Sequence, residues 1–119
     1  MIFHVSPSSK RPMVSVAADT RFSFIRPQFA GACLAMWLVC EPKGIVPVVT
    51  GAGVEPVYAH EPLHLSGYAW DFRCSYFGDA DKAFQELVEF LHSIDPRYRA
   101  VQFKAPKPAH FHIEWNGPQ

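Results

Sequence analysis

Histidine and aspartate side chains concentrate in two short stretches of this 119-residue chain. The first stretch runs from His64 to Asp71 and the second from His110 to His112, and together they hold three of the six histidines. Imidazole nitrogens and carboxylate oxygens are ligands that zinc prefers, and hydrolytic zinc sites use three protein ligands and leave one position open for water. The two stretches together therefore predict a catalytic zinc site.

Strand periodicity explains how these side chains can meet, because alternate residues of an extended chain project from the same face. One face of the second stretch is polar, with His110, His112 and Glu114, and the other is apolar, with Phe111, Ile113 and Trp115. The first stretch divides in the same way. One face has Ala69, Asp71 and Arg73, and the other, apolar face has Tyr68, Trp70 and Phe72. Gly67 could let the backbone turn and bring His64 beside Asp71. A histidine, a carboxylate and a second histidine can then converge on one ion.

The spacing of these residues is similar to a known family signature. The pattern H-x-x-G-x-A-x-D from His64 to Asp71, followed by the later H-x-H, resembles the LAS metallopeptidases. This group includes D-alanyl-D-alanine carboxypeptidases and dipeptidases and phage L-alanyl-D-glutamate endolysins, and the resemblance is greatest to small phage-encoded members. The matching parts are 49–51, 64–73, 79–94 and 110–115. The paired motif is specific, whereas either half alone is weak.

The resemblance implies one zinc ion per chain, held by His64, Asp71 and His112, and a peptidoglycan peptide as substrate. The residue pattern itself predicts an α+β architecture, with a small, mainly antiparallel sheet that carries the site and packs against two or more helices. The resemblance implies that this architecture is of the hedgehog-like or D-Ala-D-Ala-peptidase-like type.

The chain departs from the family pattern in three places. Relatives commonly place the water-activating carboxylate three residues before the last ligand histidine, where this chain has Ala109. His110 is therefore the expected general base, and weaker candidates are Glu55, His60, Glu61 and Glu114. Carboxypeptidase-type members often carry an arginine after this strand to bind the terminal carboxylate of the substrate, but no arginine follows Thr50 here. This difference argues against strict recognition of a free C-terminus in the substrate. Pro62 stands where many relatives have serine.

Four further residues are expected to contact substrate or to orient a ligand. They are Ser66, Arg73, His60 and Glu114. For Arg73 an ion pair with a nearby carboxylate is favoured over contact with substrate, and for His60 a surface position with no special role is favoured.

Composition restricts the partners. With 11 basic and 11 acidic side chains, the formal charge is zero. The composition therefore indicates neither the excess of basic residues typical of nucleic-acid-binding proteins nor a polybasic membrane anchor. The longest apolar stretch, 29–39, is shorter than the roughly 20 residues that span a bilayer. The first residues lack the features of a secretory signal, so we expect synthesis in the cytoplasm and action on the cell wall after phage-assisted release or as a virion component. Three cysteines without C-x-x-C spacing predict buried thiols.

The elements predicted along the chain form one domain, 1–119, in which 1–13 is an arm or edge segment. Strands are expected at 14–16, 22–24, 46–50 and 100–103, besides the two motif strands. A first helix begins near Pro27 and ends at Pro42 and Gly44, with core positions Phe29, Ala30, Cys33, Leu34, Trp37 and Leu38. A second helix, 79–94, is capped by Asp79 or Asp81 and stopped by Pro96. Segments 51–63 and 104–108 are connecting loops.

Two other functions also fit the sequence. The first is a zinc-binding or cell-wall-binding domain with weak or no hydrolysis, for which Ala109 is the main argument. The second is a virion structural component with a peptidase-like fold. His64, Asp71 and His112 would then form a hydrogen-bonded structural cluster or a silent metal site. A neighbouring holin gene would favour lysis, and neighbouring capsid or tail genes a role in the particle.

Overall fold

A computed structural model describes residues 2–4, 12–18, 20, 26–51, 68–104 and 109–116 of the chain. The strands are β1 (Ile2–His4), β2 (Pro12–Val16), β3 (Val48–Gly51), β4 (Ala69–Arg73), β5 (Tyr98–Phe103) and β6 (His110–Trp115). The helices are α1 (Gln28–Cys40) and α2 (Ala80–Ile94), and a 3-10 turn (Glu41–Lys43) follows α1. The α+β class predicted from the sequence is confirmed. None of the described helices has the length and apolar character needed to cross a membrane.

The described strands form one mixed sheet in the order β1-β2-β3-β4-β6-β5. Only β2 and β3 pair in parallel, whereas the other four neighbouring pairs are antiparallel. A parallel pair needs a crossover connection, and α1 lies within that connection here. The expected strand at 14–16 begins earlier, at Pro12, and the expected arm or edge segment contains β1, at the edge of the sheet. The strand expected at 22–24 and most of the 51–63 loop lie outside the described residues.

Both helices pack on the apolar face of the sheet. Trp70 and Phe72 of β4 pair in register with Ile113 and Phe111 of β6, and all four side chains are fully buried. The ring of Phe84 in α2 lies 5.4 Å from that of Phe111, and Phe29 in α1 lies 5.7 Å from Trp70. The polar residues that alternate with these therefore face the opposite side of the sheet.

The predicted core face of α1 was partly wrong. Phe29 and Cys33 are buried, but Ala30 and Leu34 are exposed and Trp37 and Leu38 are only half-buried. The buried residues of α1 are Phe29, Ala32, Cys33, Ala35, Met36, Val39 and Cys40. This helix is apolar on every side, so the sequence pattern does not distinguish the face that meets the sheet.

The second helix follows its prediction closely, because only one of its faces is apolar. The Asp79 side chain accepts a hydrogen bond from the Lys82 amide at 3.0 Å, which satisfies one of the free N–H groups of the first turn. Ala83, Leu87 and Leu91 are buried, whereas Ile94 is 39% exposed at the C-terminal end. All three cysteines are free and buried, as the sequence predicted.

Tyr98 joins the sheet to α1. Its hydroxyl donates a hydrogen bond of 2.6 Å to the backbone carbonyl of Gln28, in the first turn of the helix. Its ring lies directly against Gly31, where a Cβ atom would collide with the phenol. Glycine at this position therefore permits the close approach of helix and strand.

Candidate metal and catalytic site

The pairing of β4 with β6 brings the two sequence motifs together. Asp71 lies directly opposite His112 in this antiparallel pair, Arg73 opposite His110, and Ala69 opposite Glu114. Directly opposite residues of neighbouring strands place their side chains on the same face. Asp71, His110, His112 and Glu114 thus share the face that the helices leave free, as the alternation of the sequence predicted.

Asp71 is the buried centre of this group, with 3% of its surface exposed. Its Oδ1 atom lies 3.0 Å from Nδ1 of His112, and its Oδ2 atom lies 3.6 Å from Nε2 of His110. A buried carboxylate is unfavourable unless hydrogen bonds or opposite charges compensate for the lost water. The hydrogen bond with His112 supplies part of this compensation, and the nearby imidazole of His110 adds to it.

His112 lies between two carboxylates. Nδ1 contacts Asp71, and Nε2 lies 2.9 Å from Oε1 of Glu114. Burial disfavours the charged ring and lowers its pKa, but the hydrogen bonds and negative charges of Asp71 and Glu114 outweigh burial, so the pKa of His112 is raised above its ordinary value. Histidines that bind metals commonly donate their second ring N–H to a carboxylate, which holds the ring in place. Glu114 is positioned for this task.

His110 lies at the more open side of the group, with a quarter of its side chain exposed. Phe103 of β5 pairs with it in register, and their rings stack at 5.0 Å with 20° between their planes. The same phenyl ring meets His112 edge-on at 6.1 Å. Sequence reasoning missed Phe103. No sequence signal pointed to it, because its contact with His110 depends on the register of the β5–β6 pair.

Two of the expected metal ligands, Asp71 and His112, are in direct contact. Ligand atoms of a tetrahedral zinc site lie about 2.0–2.2 Å from the metal and hence about 3.4 Å from each other. The 3.0 Å between Asp71 Oδ1 and His112 Nδ1 is a hydrogen-bond distance, so the two atoms would have to separate by a few tenths of an ångström to hold an ion between them. The third expected ligand, His64, lies outside the described residues, as do His60 and Ser66. The described residues contain no group of three potential ligands that could hold a metal.

Ala109 does not face this group. It precedes β6, packs against the hydrophobic core, and lines a cavity of about 400 Å³ with Cys74, Phe77 and the first residues of α2. The position at which the LAS metallopeptidase pattern has a carboxylate thus lies on the helix side of the sheet. Among the described residues, His110 and Glu114 are the candidate bases on the same face as Asp71 and His112.

Comparisons with protein-family models, with curated proteins and with solved structures found no match to this chain.

Proposed function

We propose that this chain is a zinc-dependent peptidase that hydrolyses peptide bonds in the stem or cross-link of peptidoglycan, in cell-wall lysis or remodelling of phage or prophage type. The observation that carries the proposal is the contact between Asp71 and His112. The two residues are 41 positions apart in the chain, and the resemblance assigns both to one metal. A hydrogen bond of 3.0 Å joins them, and a small outward movement of both side chains would let their oxygen and nitrogen atoms bind one zinc ion.

The chemistry divides among the residues of this face. A bound zinc ion would polarise the scissile carbonyl and favour ionisation of water near neutral pH. Asp71 and His112, with His64, would hold the ion, and Glu114 would keep the His112 ring oriented. His110 is the general base. It would take a proton from the attacking water and pass it to the leaving amine, a role that contributes about 100-fold or more.

The surroundings suit an extended, partly acidic peptide. Arg73 is exposed and lies directly across from His110, where its guanidinium would meet a substrate carboxylate. Stem peptides of peptidoglycan carry such carboxylates. Action on the cell wall would follow phage-assisted release, or the protein would be part of the virion.

Digestion of purified peptidoglycan tests this proposal. Zinc-loaded protein should release peptide fragments whose masses identify the cleaved bond, and removal of zinc by a chelator should stop the release. His110→Ala is the matched inactive variant, and His92→Ala, in the exposed part of α2, is the control that should stay active. A protein that binds zinc and releases no fragment would contradict the peptidase proposal.

Ala109 favours a second candidate, a zinc-binding or cell-wall-binding domain with weak or no hydrolysis, which includes a structural role in the virion. A methyl group replaces the usual carboxylate, and it points towards the core. Stoichiometric zinc together with binding to insoluble peptidoglycan, but without fragment release, would support this candidate. The same digestion therefore separates the two.

A further inference from the structure

Phe103 combines exposure with close contact to the candidate site. It is 39% exposed, although large apolar side chains usually lie inside. Leu34 and Ile94 show comparable exposure, but they lie on the helices. Phe103 instead lies on the site face of the sheet, opposite His110. A partly exposed apolar ring in contact with the polar residues of the candidate site suggests that Phe103 contributes to the function of that site.

The contact between Phe103 and His110 is a ring stack that can restrain the imidazole. The two rings are nearly parallel, with 20° between planes and 5.0 Å between centroids, so the phenyl covers one face of the imidazole. On the other side, Nε2 of His110 lies 3.6 Å from Asp71 Oδ2, which is longer than a hydrogen bond. A contact of that length restrains the direction of the ring less than a short hydrogen bond does. The stacked phenyl therefore adds a restraint on the plane of the imidazole ring.

We infer that Phe103 is a positioning residue for His110. Its ring holds the imidazole in the plane in which Nε2 lies towards Asp71. The inference rests on the proposed function, in which His110 moves the proton. Small errors in the placement of a reacting group are costly in enzymes. Loss of the phenyl ring should therefore lower the rate of the chemical step and leave substrate binding intact.

Kinetics on soluble peptidoglycan fragments provide the first test. Phe103→Ala should lower kcat on the order of tenfold while KM stays within about twofold and zinc remains at one per chain. Phe103→Tyr, which keeps the ring, should restore kcat. Ile94→Ala removes an equally exposed apolar side chain from the end of α2 and should leave both constants unchanged. A rise in KM with unchanged kcat would overturn the inference, because Phe103 would then only contact substrate.

A second measurement does not depend on activity. Diethyl pyrocarbonate acylates accessible imidazoles, and mass spectrometry of peptides locates the modified histidine. Without the phenyl cover, His110 in Phe103→Ala should react several-fold faster than in the wild type, whereas Phe103→Tyr and Ile94→Ala should match the wild type. Equal rates in all four proteins would show that the stack does not hold His110. This result stands even if the wild type proves inactive, so failure of the inference and failure of the proposed function are distinguishable.

Discussion

Asp71 and His112 face each other across two antiparallel strands, and their side chains meet at 3.0 Å on the polar side of the sheet. One carboxylate oxygen contacts His112 while the other lies towards His110. A single buried aspartate thus links the residue proposed to bind metal with the residue proposed to move the proton. Changes at Asp71 or His112 should therefore remove both zinc and activity, whereas a change at His110 should remove activity alone.

The first prediction concerns the metal. His64→Ala, Asp71→Ala and His112→Ala should each abolish stoichiometric zinc after dialysis, because each removes one of three protein ligands. Elemental analysis of the dialysed proteins measures this directly. His92→Ala, which changes an exposed histidine of α2, should keep one zinc per chain. Full zinc in both His64→Ala and His112→Ala would show that the ligand assignment is wrong.

The second prediction separates metal from catalysis. His110→Ala should keep one zinc per chain and lose roughly 100-fold or more in kcat/KM, the usual scale for a general base. Zinc content and fragment release are measured on the same preparation. Loss of zinc in this variant would show that His110 is itself a zinc ligand. The roles given to the two histidines of the H-x-H motif would then have to be reassigned.

The third prediction concerns Ala109. In the family pattern a carboxylate here activates water, but the methyl group of Ala109 packs against the core beside Cys74 and Phe77. Ala109→Asp should therefore give no gain in hydrolysis and should destabilise the fold by at most about 1 kcal/mol, because this position is only partly buried. Chemical denaturation and peptidoglycan digestion report the two effects. A more active and equally stable variant would place residue 109 in the cleft instead.

The fourth prediction reverses the usual effect of alanine in a helix. Alanine normally stabilises a helix interior by about 1 kcal/mol relative to glycine. At Gly31 the new methyl group would collide with the ring of Tyr98, so Gly31→Ala should destabilise the protein by about 1–3 kcal/mol. Ala30→Gly, at the exposed neighbouring position of the same helix, should destabilise it for the ordinary reason of propensity. If Gly31→Ala raises the free energy of unfolding in urea, the close approach of Tyr98 does not exist.

The fifth prediction concerns alkaline stability. Burial raises the pKa of Cys33 to about 12, and it is also the main cause that raises the pKa of Cys40 to about 12. In the unfolded chain a thiol ionises near pH 9, so the unfolded state loses these protons first. The free energy of unfolding should therefore fall as the pH rises from 9 towards 12, by at most about 1.4 kcal/mol per pH unit for each thiol.

Urea denaturation at pH 8, 9 and 10 measures this decline. Replacement of both residues, Cys33→Ala with Cys40→Ala, should lower stability at pH 8 through lost packing and should reduce the slope above pH 9. An unchanged slope would show that other groups control the alkaline transition.

The sequence predicted those parts of the fold in which polar and apolar residues alternate clearly. The strand from His110 to Trp115 and the helix from Ala80 to Ile94 each have one apolar face, so their orientation followed from periodicity. The helix from Gln28 to Cys40 is apolar on all sides, and its buried face depends on contacts with the sheet that no local pattern encodes. The parallel pairing of β2 and β3 likewise depends on partners separated by a helix.

The candidate site was predictable to a similar extent. Alternation alone placed Asp71, His110, His112 and Glu114 on polar strand faces, and the pairing of β4 with β6 confirmed that these faces coincide. The role of Phe103 could not be deduced from its own residue type, because it depends on the register between β5 and β6. The zinc ion and the peptidase activity remain predictions, and His64 lies outside the described residues.

The position of β6 has a consequence for the order of folding. Although β6 follows β5 in the chain, it lies between β4 and β5 in the sheet and is the described hydrogen-bonding partner of both. Until it inserts, neither strand has this neighbour, and His112 is far from Asp71. During synthesis the site should therefore appear only after residue 115 has left the ribosome, in the same cooperative step that closes the sheet. Until β6 has inserted, the polar group around Asp71 would be incomplete.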